Sequence, residues 1–169
     1  LRILDDLIGR SPRFAPAHAL RGLALVHLGR KSEAQTALDE GVKLAPGNID
    51  VLGYRAWGLR LLHYFARSAA DYTEILKIDP KNADALINRS RCQEKLENWK
   101  AAAEDLESYL AVNAENPDAW ESRGRCRVML KDREGAIEDY RKALEVAPAD
   151  WPRRKEIEEW IEEADNEEE

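Results

Sequence analysis

The 169 residues carry 33 acidic against 26 basic side chains, a net charge of −7 at pH 7, with 44% hydrophobic and 35% charged residues. That composition suits a helical protein with much exposed surface, and no run approaches the roughly 18 apolar residues a membrane span requires. Residues 156–169 hold nine acidic and no basic groups, so residues 1–155 sum to +2 and offer no concentrated basic footprint for nucleic acid.

Taken in chain order, Leu1 to Ser11 reads as a helix closed by Pro12, with Leu1, Leu4, Leu7 and Ile8 at helical spacing. From Ala15 the sequence stacks on itself with a period of 34, in frames beginning at Ala15, Ile49, Ala83 and Pro117. The frames cover 15–48, 49–82, 83–116 and 117–150. The eighth place is small (Gly22, Ala56, Ser90, Gly124), as are the tenth (Ala24, Gly58, Cys92, Cys126) and the twentieth (Ala34, Ser68, Ala102, Ala136). The fourteenth is leucine throughout: Leu28, Leu62, Leu96, Leu130. A fixed period of this size marks a solenoid in which each unit buries its apolar face against its neighbours. Each frame is expected to hold two helices, such as Asp118 to Leu130 and Arg133 to Val146, with Pro46, Pro80 and Pro148 ending the second ones.

Residues 1–14 then read as the second helix of a truncated preceding repeat, on a chain taken to be a fragment of a longer protein. That helix lacks its first-type partner, so its outer face is expected to be under-covered and open to self-association. At the other end, Ile157, Trp160, Ile161 and Ala164 form one apolar stripe, with Glu158, Glu159, Glu162 and Glu163 opposite. Residues 151–164 are therefore expected to form a capping helix, with Pro152 in its first turn, and 165–169 an acidic disordered tail.

The small places have a steric reading. Where two helices cross closely, a side chain would hold the backbones apart. Glycine inside a helix costs about 1 kcal/mol relative to alanine, and Gly22 and Gly124 bear that cost at the same place. Leu38, Tyr72, Leu106 and Tyr140, with Phe65 and Trp99, are expected to fill the space beside the small residues. Cys92 and Cys126 sit 34 residues apart at equivalent places. Equivalent helices pack roughly 8–10 Å apart, beyond the Cα separation of about 7 Å that a disulfide tolerates. Both are expected to be reduced packing residues, in keeping with a cytoplasmic location.

No glycine loop for phosphate, close-spaced metal-ligand pair or serine elbow appears, so neither catalysis nor a cofactor nor a metal is expected. His18, His27 and His63 fall at unrelated places. The seventh place is arginine in all frames: Arg21, Arg55, Arg89 and Arg123. Three of them travel with an aspartate sixteen residues on (Asp71, Asp105, Asp139), which predicts bidentate pairs across each hairpin rather than a phosphate-binding ladder. Arg21 has Ala37 at that place and lacks the partner.

The 34-residue period resembles the tetratricopeptide repeat family. Residues 117–150 match best, through Trp120, Gly124, Ala136, Tyr140, Ala143 and Pro148, and four frames cover 15–150. The resemblance implies an all-α, right-handed solenoid of stacked antiparallel helix pairs, a superhelix whose first helices line a concave groove for a peptide. Mapping the family's groove places onto this sequence selects Leu20, Leu23, Tyr54, Trp57, Arg60, Asn88, Arg91 and Arg125. Asp50 and Asp84 occupy further groove places, and Asp84, Glu94 and Glu121 would partly offset the arginines. The expected ligand is a protein segment with apolar and acidic groups, apolar toward Trp57 and acidic toward Arg60, Arg91 and Arg125; neither nucleic acid nor membrane is expected. Members that clamp the C-terminal carboxylate of chaperone tails carry lysine, asparagine and arginine at set groove places, of which only Asn88 is present here. The implied function is a non-enzymatic interaction scaffold. The alternative is the regulatory or substrate-recruiting array of a larger enzyme.

Overall fold

The computed structural model describes residues 1–166, which contain ten helices and no strand. The chain divides into two compact units, one from Leu1 to Cys92 and one from Gln93 onward.

The first unit comprises α1 (Arg2–Arg10), α2 (Ala15–His27), α3 (Lys31–Leu44), α4 (Ile49–Leu61), α5 (Phe65–Ile78) and most of α6 (Ala83–Lys95). Antiparallel pairs α2–α3 and α4–α5 form from adjacent segments, and α4 packs against both helices of the preceding pair. The second unit holds α7 (Trp99–Leu110), α8 (Pro117–Met129), α9 (Arg133–Val146) and α10 (Arg154–Asn166). Here α8 packs on α7 and pairs with α9, and α10 lies on α9.

Recurring polar signals start and stop these helices. Asn48, Asn82 and Asn116 close their frames, and each side-chain oxygen accepts from a backbone N–H three residues on, at 3.0–3.1 Å. This satisfies a donor that the first turn leaves without an intrahelical acceptor. The fourteenth-place leucine is the residue that ends the first helix in three frames (Leu28, Leu62, Leu130). Leu28 and Leu130 remain exposed, so their constant identity does not reflect burial. The next residue turns the chain in the left-handed region in all four frames: Gly29 (φ 73°), His63 (65°), Glu97 (59°) and Lys131 (63°). Only the first frame places glycine there, where a Cβ is unfavourable.

The small places do meet large neighbours. A Cβ on Gly22 would lie 2.5 Å from Leu38 Cγ, and one on Gly124 2.5 Å from Tyr140 Cε1. Gly58 joins them, since its Cβ would fall 2.7 Å from Leu38 Cδ1. Leu38, Tyr72, Leu106 and Tyr140 are buried as expected, while Phe65 and Trp99 are only half-buried.

Two boundaries differ from expectation. The capping helix begins at Arg154, not Trp151. Pro152 sits in a turn before it, closed by Trp151 N–H donating to Pro148 O (3.0 Å) and Arg154 N–H to Trp151 O (3.1 Å). Trp151 is itself an anchor, buried with Tyr140, Ala143 and Ile157, and its indole N–H donates to Asp118 Oδ1 at 2.8 Å. Arg154 then reaches back to the Leu144 and Ala147 carbonyls at 3.1 and 3.0 Å, satisfying the open C-terminal end of α9. The helix runs to Asn166, and the tail end at 167–169 lies outside the described residues. On α1, the most exposed apolar residues are Ile3 (82%) and Leu7 (36%), while Leu1, Leu4 and Ile8 are half-buried.

Both cysteines are free and buried within their own units. Burial pushes the Cys126 thiol up to about 12. It raises Cys92 too, although the hydrogen bond from Cys92 to Ser68 Oγ (3.3 Å) pulls the other way. A raised thiol pKa means that the unreactive protonated form predominates well above neutrality. The native protein at pH 8 should therefore leave both thiols unmodified by a disulfide-exchange dye over the time in which the denatured chain reacts at two sites per molecule. Prompt native labelling would contradict this burial.

Candidate functional site

The seventh-place arginines are structural. Arg55 grips Asp71 with Nε (2.8 Å) and Nη2 (2.6 Å), and its Nη1 reaches back to Asp39 at 3.1 Å. Arg123 makes the same fork to Asp139 at 2.9 and 2.6 Å. Arg21 finds Asp5 on α1 at 2.7 Å, the residue sixteen before it rather than sixteen after. Arg89 likewise reaches sixteen back, donating to Thr73 Oγ1 at 3.0 Å. The pair expected between Arg89 and Asp105 would join residues of different units. The backward contacts were legible in the spacing, because Asp5, Asp39 and Thr73 share the twenty-fifth place of successive frames. Arg21, Arg55 and Arg89 therefore tie a first helix to the preceding second helix, and Arg55 and Arg123 tie one to its own.

A different set of side chains bounds an open cavity of about 360 Å³ in the first unit. The first helices α4 and α6 supply Asp50, Gly53, Tyr54, Trp57, Asp84 and Asn88, and Tyr72 and Ile75 of α5 contribute apolar surface. The i, i+3, i+4, i+7 spacing of Asp50, Gly53, Tyr54 and Trp57 puts them on one face of α4. Glycine at 53 leaves room between the aromatic rings and the second helix, for its Cβ would meet only Ile75 Cδ1, at 3.9 Å. Trp57 is 40% exposed, unusually open for the largest apolar side chain, and meets His27 edge-on at 6.0 Å between ring centroids. Tyr72 is buried beneath, and burial pushes its phenol up to about 12 despite the Arg60 guanidinium beside it.

The eight residues selected from sequence thus separate. Tyr54, Trp57 and Asn88 line one cavity. Leu20 is exposed on α2. Leu23 is a correction: at 6% exposure it is core, with its Cδ2 3.2 Å from where a Gly58 Cβ would stand. By Leu23, one turn after the exposed Leu20, the groove face of α2 has turned inward, because Gly58 on the next first helix lets Leu23 sink. Arg60 is half-buried with its guanidinium beside Tyr72, and Arg91 is exposed, its Nη1 3.4 Å from Asn88 Oδ1.

Arg125, in the second unit, also differs from expectation. It binds Glu94 Oε2 and Glu121 Oε1 (2.7 Å), and the buried Glu121 also accepts from Arg153 Nη2 at 3.1 Å. A guanidinium held between two carboxylates has little charge left for a ligand. The groove acids Glu94 and Glu121 were read as offsetting neighbours; they are its direct counterions.

Two family models, both described as tetratricopeptide repeat, match this chain, one over residues 59–109 and 93–152 and the other over 15–48. No curated protein matches it in sequence. Among solved structures, a MamA RS-1 double mutant superposes with a TM-score of 0.78 at 19% identity, covering 86% of this chain and 82% of that one. MamA 41-end from Desulfovibrio magneticus RS-1 gives 0.77 at 19% identity, with coverage of 86% and 82%. Another MamA crystal structure gives 0.77 at 16%, with coverage of 86% and 85%. At such identities the likeness is one of fold.

Proposed function

Because the chain belongs to the tetratricopeptide repeat family, whose helix pairs build protein-interaction scaffolds, we propose that it binds a peptide or helical segment of another protein along the first helices of its first unit. The observation that carries this reading is the open cavity walled by Tyr54 and the exposed Trp57. An exposed indole beside a concavity is surface that water covers poorly and that an apolar side chain of a ligand can desolvate. Aromatic anchors of this kind supply most of the binding energy in recognised interfaces, with surrounding contacts serving mainly to exclude water. A segment lying across α4 and α6 would seat one apolar side chain against Trp57 and Ile75 and expose its opposite face.

The experiment uses a displayed library of short random peptides selected on the whole chain. Selected peptides should share an apolar or aromatic position, and Trp57→Ala should weaken them by about tenfold or more, equivalent to about 1.4 kcal/mol. Trp57 makes an edge contact with His27 but fills no core space, so circular dichroism should find the variant folded. Selected peptides that bind Trp57→Ala as tightly as the original chain would place recognition elsewhere.

A further inference from the structure

The charge lining this cavity is of one sign. Asp50 and Asp84 are its only charged lining residues, both are exposed, and neither has an ion-pair partner among the described residues. By contrast, the other groove carboxylates, Glu94 and Glu121, are neutralised by Arg125. Arg60 and Arg91 belong to the same unit but do not line the cavity: one lies beside Tyr72 and the other approaches Asn88. Tyr54, Trp57 and Tyr72 supply aromatic surface to the same cavity. A concavity combining unpaired carboxylates with the faces of an indole and a phenol is matched in charge and shape by an organic cation.

We propose that this cavity selects a lysine or arginine side chain of the bound segment, its alkyl stem against Trp57 and Tyr54 and its cationic head between Asp50 and Asp84. The proposal rests on the groove reading above and reverses the ligand charge expected from the sequence. A long basic side chain suits the site on both counts, since its methylene stem covers apolar surface while its head stays in reach of water and carboxylate. Asp50 and Asp84 also stand in the first turns of α4 and α6, where negative charge complements the helix dipole. That position accounts for acids at the helix starts; it does not account for an exposed Trp57 and a half-buried Tyr54 lining the same cavity.

The test scans peptide pools in which one position is fixed as lysine or arginine, as glutamate or aspartate, or as alanine, against the whole chain, Trp57→Ala, Asp50→Asn/Asp84→Asn and Asp50→Lys/Asp84→Lys. Peptides that depend on Trp57 should favour the basic pool by about tenfold over the alanine pool. The neutralised double variant should abolish that preference while alanine-pool peptides bind unchanged, and the charge-reversed variant should turn it toward the acidic pool. Raising salt should narrow the difference between pools. Trp57-dependent binding with no preference, or with a preference for acidic peptides in the unaltered chain, overturns the cation site and leaves the groove reading intact. Binding indifferent to Trp57 overturns both.

Discussion

Replacing Asp139 by alanine should cost the second unit about 3–5 kcal/mol, the range found when one partner of a buried ion pair is removed. Asp139 is 1% exposed and serves as a hub. It accepts Arg123 through both oxygens at 2.6 and 2.9 Å and has Arg127 Nη1 at 3.2 Å. The Arg123 guanidinium is further enclosed by the Trp120 ring, 4.8 Å from its centroid. With its side chain 12% exposed, it could not regain water without moving. Deleting the carboxylate therefore strands a buried cation, whereas Asp139→Asn keeps an acceptor and should cost less. Pairing Asp139→Leu with Arg123→Met removes the forked pair and should recover much of the loss, since Arg127 keeps Asp132 at 3.6 Å and the Gly135 carbonyl at 2.8 Å, and a buried ion pair contributes little beyond what well-packed apolar groups supply. Urea unfolding followed by the second-unit tryptophans measures this. A loss under about 1 kcal/mol for Asp139→Ala would mean that the arginines find other partners and the hub is dispensable.

The second large effect concerns Leu38, which is fully buried and occupies the space that two glycines leave open. Leu38→Ala should cost about 2–5 kcal/mol through lost transfer energy and the cavity it leaves. Gly22→Ala alone should also destabilise. Its Cβ would press on Leu38 Cγ at 2.5 Å and lie 3.0 Å from the Leu38 backbone nitrogen. Overpacking of this kind costs about 1–3 kcal/mol, against the roughly 1 kcal/mol that alanine gains over glycine in a helix. In the Leu38→Ala background the main obstruction is gone, so the same Gly22→Ala change should become neutral or stabilising. The double-mutant cycle should show a coupling of about 1–3 kcal/mol. Additive losses would mean that the glycine is not there for Leu38.

Sequence periodicity alone settled the family, the helix pairing and the places of close approach, because each repeat solves the same packing problem with the same small and large residues. Gly22 against Leu38 and Gly124 against Tyr140 were readable for that reason, as were the forks from Arg55 to Asp71 and from Arg123 to Asp139. The asparagine caps and the backward reach of the arginines were equally periodic and needed only their partners to be seen. The state of each groove residue could not be read this way. Leu23 and Trp57 share a groove place in successive frames, yet Gly58 lets one sink into the core while the other stays open. Arg125 and Arg91 share theirs, yet only Arg125 is held by two carboxylates, one of them a buried Glu121. Periodicity specifies what every repeat must do alike. What a groove presents to a partner depends on which charges and rings find neighbours in three dimensions, and the deciding ones, Glu94 for Arg125 and Gly58 for Leu23, lie a repeat away in the chain.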